Sequence, residues 1–451
     1  FGSVGALIIS GMVGWAGLNI KVARQANHRE QTLQIAEAGV EYYRWHLAHS
    51  QQDFTDGTGQ PGPYIHPYYD SLGNRLGEFR LTITPPPIGS TIVTIRSEGA
   101  VDALSGFTRT IEARLAIPSL AKYAVISNSD LRFGDGTEVF GPIHSNGGVR
   151  FDGVAHNVIT SARSDYNDPD HGGNNEFGVH THVTGGGAVD TSFRPDEAPP
   201  PPAPVKPDVF MAGRQFPVPS VDLNGITSDL AQMKTNAQSN GQYLPPSGAL
   251  GYHIVFKIDD TFDVYRINSL QSPPQHCSNT QNESGWGIWS VNTTGGAETL
   301  LGNYPIPGNG LVFVEDNAWV DGQISTARVT VAVARFPDTP STRASITVNR
   351  DLLYTYYDGQ DAIALIAQNN FNVGWDSEDD LRIDAAIIAQ NGRVGRYYYQ
   401  PAGQSQNRCS PYHSRQVLTL YGMIATNLRY GFAWSDGTGY QTRNIIYDAN
   451  L

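Results

Sequence analysis

The first twenty residues, FGSVGALIISGMVGWAGLNI, carry no charged side chain. A helix of that length reaches about 30 Å, the thickness of a bilayer's hydrocarbon core. Such a segment can span a membrane, and in water it must be covered by lipid or by other protein. Charge rises sharply from Lys21 onward, yet Leu33, Ala36, Val40, Tyr43 and Leu47 recur at alternating intervals of three and four, the mark of one apolar stripe along a continuing helix. The helix is therefore expected to run to His49, roughly 70 Å in all, and a rod that long cannot be buried by one small domain. Half of it must find cover elsewhere.

Ala6, Ser10 and Gly14 fall at four-residue intervals and make a flat ridge along which identical helices can approach closely. Small residues are also common in a simple membrane anchor, which is the competing reading of the same stretch. No Met and no basic region precede the apolar run, so a segment upstream of Phe1 is expected to have been removed. Phe1 as first residue, the apolar run, an amphipathic continuation containing AEAGVEYYRW at 36–45, and the β-rich stretch that follows resemble the type IV pilins and their secretion-system pseudopilin relatives. The resemblance covers residues 1–117. It implies that a prepilin peptidase cleaves ahead of Phe1 and methylates it. It also implies that the subunit waits in the inner membrane, and that pilus assembly machinery packs identical subunits, helices inward, into an extracellular filament at the cell surface. On that reading Phe1, Gly5, Ala6, Ser10, Gly14 and Gly17 are assembly positions.

Two positions depart from the family. Gly5 stands where most members carry a Glu that pairs with a neighbour's N-terminal amine, and relatives lacking the acid are often tip subunits. Val22 stands at the common helix-breaking Pro, so any local unwinding is expected at Gly14 or Gly17.

With 48 Gly, 28 Pro and 22 Tyr but only 16% charged residues, the remaining chain reads as many short strands joined by tight turns. Residues 77–117 give three strands of a meander that needs the amphipathic half-helix to cover it. Beyond residue 118, IAQNN at 366–370 returns as IAQNG at 388–392, with IATN at 424–427 a weaker echo. The 22-residue interval matches one coil of a parallel β-solenoid, although the strand alternation suits a β-sandwich equally. The expected fold class is thus mostly β with one long N-terminal α-helix: a pilin-like helix plus antiparallel meander, then a β-solenoid-like or β-sandwich domain. The expected organisation is a filament or membrane helix over 1–50 and a meander over 51–117. A solenoid-like domain follows over 118–160 and 310–451, and 161–309 forms an insertion. That insertion carries a proline-rich strap, APPPPAPVKP at 198–207, and a helix from Ser228 to Ser239.

The formal charge of −13 repels nucleic acid. Cys277 and Cys409 are too few for a disulfide framework or a zinc site; one bridge and two free thiols both remain open. DYNDPDHGGNNE at 165–176 gathers Asp165, Asp168, Asp170 and Glu176, oxygen ligands of the kind calcium prefers, but without EF-hand spacing, so turn-forming residues of an exposed loop explain it as well. WDSEDDLRID at 375–384 is a fainter version. His180 and His182 alternate on a strand and face one side, with His171 close in sequence, a pattern open to a metal or acid–base group and equally to hydrogen-bonded histidines. Asp351, Asp361 and Asp384 are the carboxylates that a surface-anchored, polysaccharide-acting solenoid would use, while Tyr356, Tyr357, Tyr397, Tyr398 and Tyr399 suit a contact surface or a core. No nucleophile motif or phosphate loop stands out. The expectation is no enzyme and no cofactor: a structural subunit whose β domain serves adhesion, in the shaft or at the tip.

Overall fold

The computed structural model describes residues 2–50, 53–86, 92–103, 106–116, 120–200, 202–223, 230–277, 290–403 and 406–451, with backbone alone for 2–7. The chain divides into two compact units, residues 1–119 and 120–451. It is mostly β with one long N-terminal helix, the class expected.

In the first unit a single helix runs from Gly2 to His49, with no break at Gly14 or Gly17. Four antiparallel strands, Tyr64–Tyr69, Arg75–Thr84, Ile92–Val101 and Thr108–Ala116, pair in sequence order. The sheet lies on the C-terminal half of the helix, where Ile35 and Tyr43 meet Phe79, Leu81, Val93 and Ile95. The stripe read from the sequence is rotated in the structure: Thr32, Ile35, Ala36, Gly39 and Tyr43 are buried, while Leu33 and Val40 are half-buried. Small residues set that rotation. A Cβ at Gly99 would collide with the Thr32 carbonyl oxygen and the Ala36 nitrogen, so the sheet approaches over the small face and not the bulky one.

Among the described residues no helix is long and apolar enough to cross a membrane. The first seven residues of the span expected over 1–20 lie outside the side chains described, which begin at Ile8.

The second unit is a stack of parallel strands. One column passes through Gln242, Val312, Val331, Leu365, Ile387, Ile424, Val125, Ile143, Ile159 and Arg214, each paired in parallel with the next. A second column runs through Phe256, Gly322, Leu352, Ile383, Leu420, Ile445, Val139 and Ala155. Both columns place residues 242–447 first and 125–215 after them. The coil thus winds in one direction but is cut in the middle, where its two chain ends lie side by side: a Cβ at Gly141 would collide with the Cβ atoms of both Tyr447 and Ala124.

Residues 161–309, expected as an insertion, contribute Arg214–Gln215, Gln242–Leu244 and Tyr252–Phe256 to these parallel ladders and Val179–His180 to a separate one, beside Val149–Phe151. The hairpin Tyr252–Phe256, Thr261–Ile267, Glu298–Pro305 extends from them as an antiparallel ribbon. Leu223 and the helix that begins at Leu230 lie over the outer face of the first column. Leu223 packs with Ala386, Met423 and Ala425, and Leu230 and Ala237, on a helix from Leu230 to Asn240, pack with Phe313, Ala332 and Ile366. That cover explains why strands such as LIA at 365–367 are apolar on both faces. The first part of the helix expected from Ser228 lies outside the described residues.

Candidate functional site

Two features carry chemistry that the fold alone does not require. The first is the outer half of the long helix. Ile8, Ile9, Met12, Val13, Trp15, Leu18, Ile20 and Val22 are all more than half exposed, Trp15 at 71%. Covering each such side chain, by lipid or by protein, is worth about 1.5–3 kcal/mol. At 3.6 residues per turn, Ser10, Gly14 and Gly17 share one face. Ideal Cβ atoms built at Gly11, Gly14 and Gly17 would have nothing within 4 Å, so the ridge has room for another helix. Phe1 lies outside the described residues, and Gly5 and Ala6 lie in the stretch given as backbone.

The second feature is buried and polar. The hairpin pairs Asp165 with Phe177 and Tyr166 with Glu176, so strand alternation sends Asp165 and Glu176 to opposite faces. This corrects the expected oxygen set. Asp165 bonds with Ser164 and Asn175 and Asp170 pairs with Arg132 and Arg429, whereas Asp168 and Glu176 turn inward to meet His171, His180 and His182. Glu176 Oε2 lies 3.0 Å from His171 Nε2 and 3.2 Å from His180 Nε2, and Oε1 lies 3.2 Å from His182 Nε2. Asp168 Oδ2 lies 3.5 Å from His171 Nε2 and 3.7 Å from His180 Nε2. Glu176, His180 and His182 are fully buried. Behind them Arg150 donates to Asp152 at 2.7 Å and to Asp168 at 3.3 Å; it sits on the middle strand of the ladder formed by Leu131–Phe133, Val149–Phe151 and Val179–His180, and His180 on an outer strand. The Asp170 amide donates to Asp168 Oδ1 at 2.9 Å. Sequence alternation had placed His180 and His182 on one side; their meeting with Glu176 and Asp168 had no sequence signal beyond proximity.

The remaining candidates separate. Cys277 and Cys409 form a disulfide, packed with Trp375, Tyr397 and Tyr399, so those two tyrosines are core. Tyr398 donates to Asp436, while Tyr356 and Tyr357 are exposed, Tyr357 donating to Asp384. Asp361 accepts the backbone amides of Thr355 and Tyr356 at 2.7 and 2.8 Å. Asp384 accepts from the Tyr354 amide and Arg382, and Asp351 from the Arg382 amide. Asp361 thus holds its own turn, while Asp351 and Asp384 bond across to neighbouring coils. Asp376 and Asp379 of the fainter acidic stretch pair with Arg350 and Arg415. A histidine that the sequence did not single out, His253, sits buried between Glu298 at 3.0 Å and Asp321 at 2.9 Å. Burial works against its charge, yet the two carboxylates prevail and raise it to about 9.

No family model and no curated protein matches the chain. Among solved structures it is similar to the crystal structure of competence-associated pilin ComZ from Thermus thermophilus, with 13% identity over 94% of this chain and 92% of that one and a TM-score of 0.25. An overlay that loose settles neither fold nor role, so the reading of function rests on the chain's own residues.

Proposed function

We propose that the chain is a pilin-like structural subunit of an extracellular filament, polymerised through its N-terminal helix and displaying the β-rich unit outward, where it serves adhesion. The observation that carries this is the unbroken helix whose C-terminal half is sealed by its own sheet while Ile8 to Val22 lie open. Before assembly the rod is held at the inner membrane, a prepilin peptidase processes and methylates Phe1, and pilus assembly machinery stacks identical subunits. The chain has no catalytic role in this reading. A terminal place in the filament is the second reading, favoured by Gly5, where most of the pilin family has Glu.

Immunogold labelling of filaments sheared from cells, with labels counted along their length, tests both. Label all along the shaft is the expected outcome. Label at one end only selects the terminal role, and cells whose filaments carry none overturn the proposal.

A further inference from the structure

The histidine and carboxylate cluster holds a contradiction that an ion resolves. His182 Nδ1 lies 2.8 Å from the Asp190 carbonyl oxygen, His180 Nδ1 3.2 Å from that of Phe177, and His171 Nδ1 3.3 Å from that of Gly172. A carbonyl can only accept, so each Nδ1 carries the proton, and a neutral ring then presents the lone pair of Nε2. The lone pairs of His180 and His182 converge on Glu176, itself an acceptor, while His171 Nε2 bonds with the same carboxylate at 3.0 Å. The Nε2 atoms of His180 and His182 are buried and make no hydrogen bond. Acceptors facing acceptors inside a protein are costly unless something positive sits between them.

Charge balance points the same way. Asp152, Asp168 and Glu176 are buried against a single buried cation, Arg150, which leaves two negative charges uncompensated. A divalent ion cancels both. Donor atoms of Asp168, His171, Glu176 and His182 lie within 4.8 Å of one another, near enough to close on one ion at bonds of about 2.0–2.2 Å with small side-chain movement. Imidazole nitrogens exclude calcium and magnesium, which take oxygen, and select a first-row transition metal. The backbone carbonyls on each Nδ1 are the outer partners that fix ring orientation at such centres.

From this we propose that Asp168, His171, Glu176 and His182, with His180 beside them, bind one divalent transition-metal ion, zinc foremost, as a closed structural centre. The site does not depend on the filament reading. It lies at the end of a parallel ladder, where it pins the 165–182 segment over strand edges that would otherwise be open to pairing and so caps the coil.

The test uses the full chain, without a histidine tag, in detergent micelles. After dialysis against a chelator, zinc is added at buffered free concentrations and bound metal is read by elemental analysis, with thermal unfolding followed in parallel. About one zinc per chain and a higher unfolding midpoint are expected, with cobalt(II) giving the visible absorption of an imidazole-rich site. The double variant His171→Ala/His182→Ala is expected to lose binding by about 100-fold or more while the exposed-site control His156→Ala keeps it. Should the double variant fail to fold, Glu176→Gln and the cobalt spectrum of the unaltered chain carry the test. Absence of zinc at micromolar free concentration on a folded chain overturns the proposal, as does undiminished binding in the double variant, preference for calcium, or two imidazoles protonated with no ion between them.

Discussion

The rod from Ile8 to Val22 and the column from Val312 to Ile159 are built from the same aliphatic residue types, yet they end in opposite circumstances. Val312, Val331, Leu365, Ile387, Val125, Ile143 and Ile159 are fully buried, each stacked on its parallel neighbour, whereas the side chains of the rod face outward. The difference is one of geometry. A coil can fold back on itself and offer every apolar residue a neighbour from its own chain, while a straight helix gains cover only where a sheet lies against it. The coil unit is thereby self-sufficient, and the rod is an unfinished interface. Substitutions in the rod should change association and leave stability alone; substitutions in the coil should do the reverse.

The strongest way to break that division is Val13→Asp with Leu18→Asp. Burying two unpaired carboxylates costs several kcal/mol each, so filament formation should be abolished, with thermal unfolding of the β-rich part unmoved. In the coil, Ile387→Ala removes a fully buried side chain from the middle of the column. A loss of about 2–5 kcal/mol is expected in urea unfolding, with assembly retained. Cys409→Ser opens a bridge that spans 132 residues and should cost about 2–4 kcal/mol, again with assembly retained. Weaker still is the effect of pH on His253. Its folded value is raised to about 9 against an unfolded value of about 6.5. The stability it contributes is fully present below about pH 6.5 and is lost as pH rises through 9. His253→Gln should flatten that part of the stability profile.

The same comparison shows what a sequence makes legible. The rod announced itself through the jump in charge at Lys21, because a helix's environment is written in consecutive residues. In the coil, IAQNN and IAQNG gave the true stacking: Ile366 pairs with Ile388 and Ala367 with Ala389. IATN was a looser echo for a physical reason, since Ile424 pairs with Ile387 and sits one place out of step. The strand Tyr64–Tyr69 left little trace because YIHPYY neither alternates nor is free of proline. The joining of the two chain ends through Ile424 and Val125 left no local trace, as pairing across some three hundred residues depends on what the intervening coils do. At the buried cluster, composition suggested oxygen ligands, and only the hairpin register revealed that Asp165 and Glu176 point apart while the histidines close in.

Sedimentation velocity of the full chain and of a variant lacking residues 1–24, each after detergent removal, tests the central claim most directly. The account predicts a folded, monomeric shortened protein and a full-length chain that polymerises. A full-length chain that stays monomeric in water, or a shortened one that still forms filaments, would contradict it.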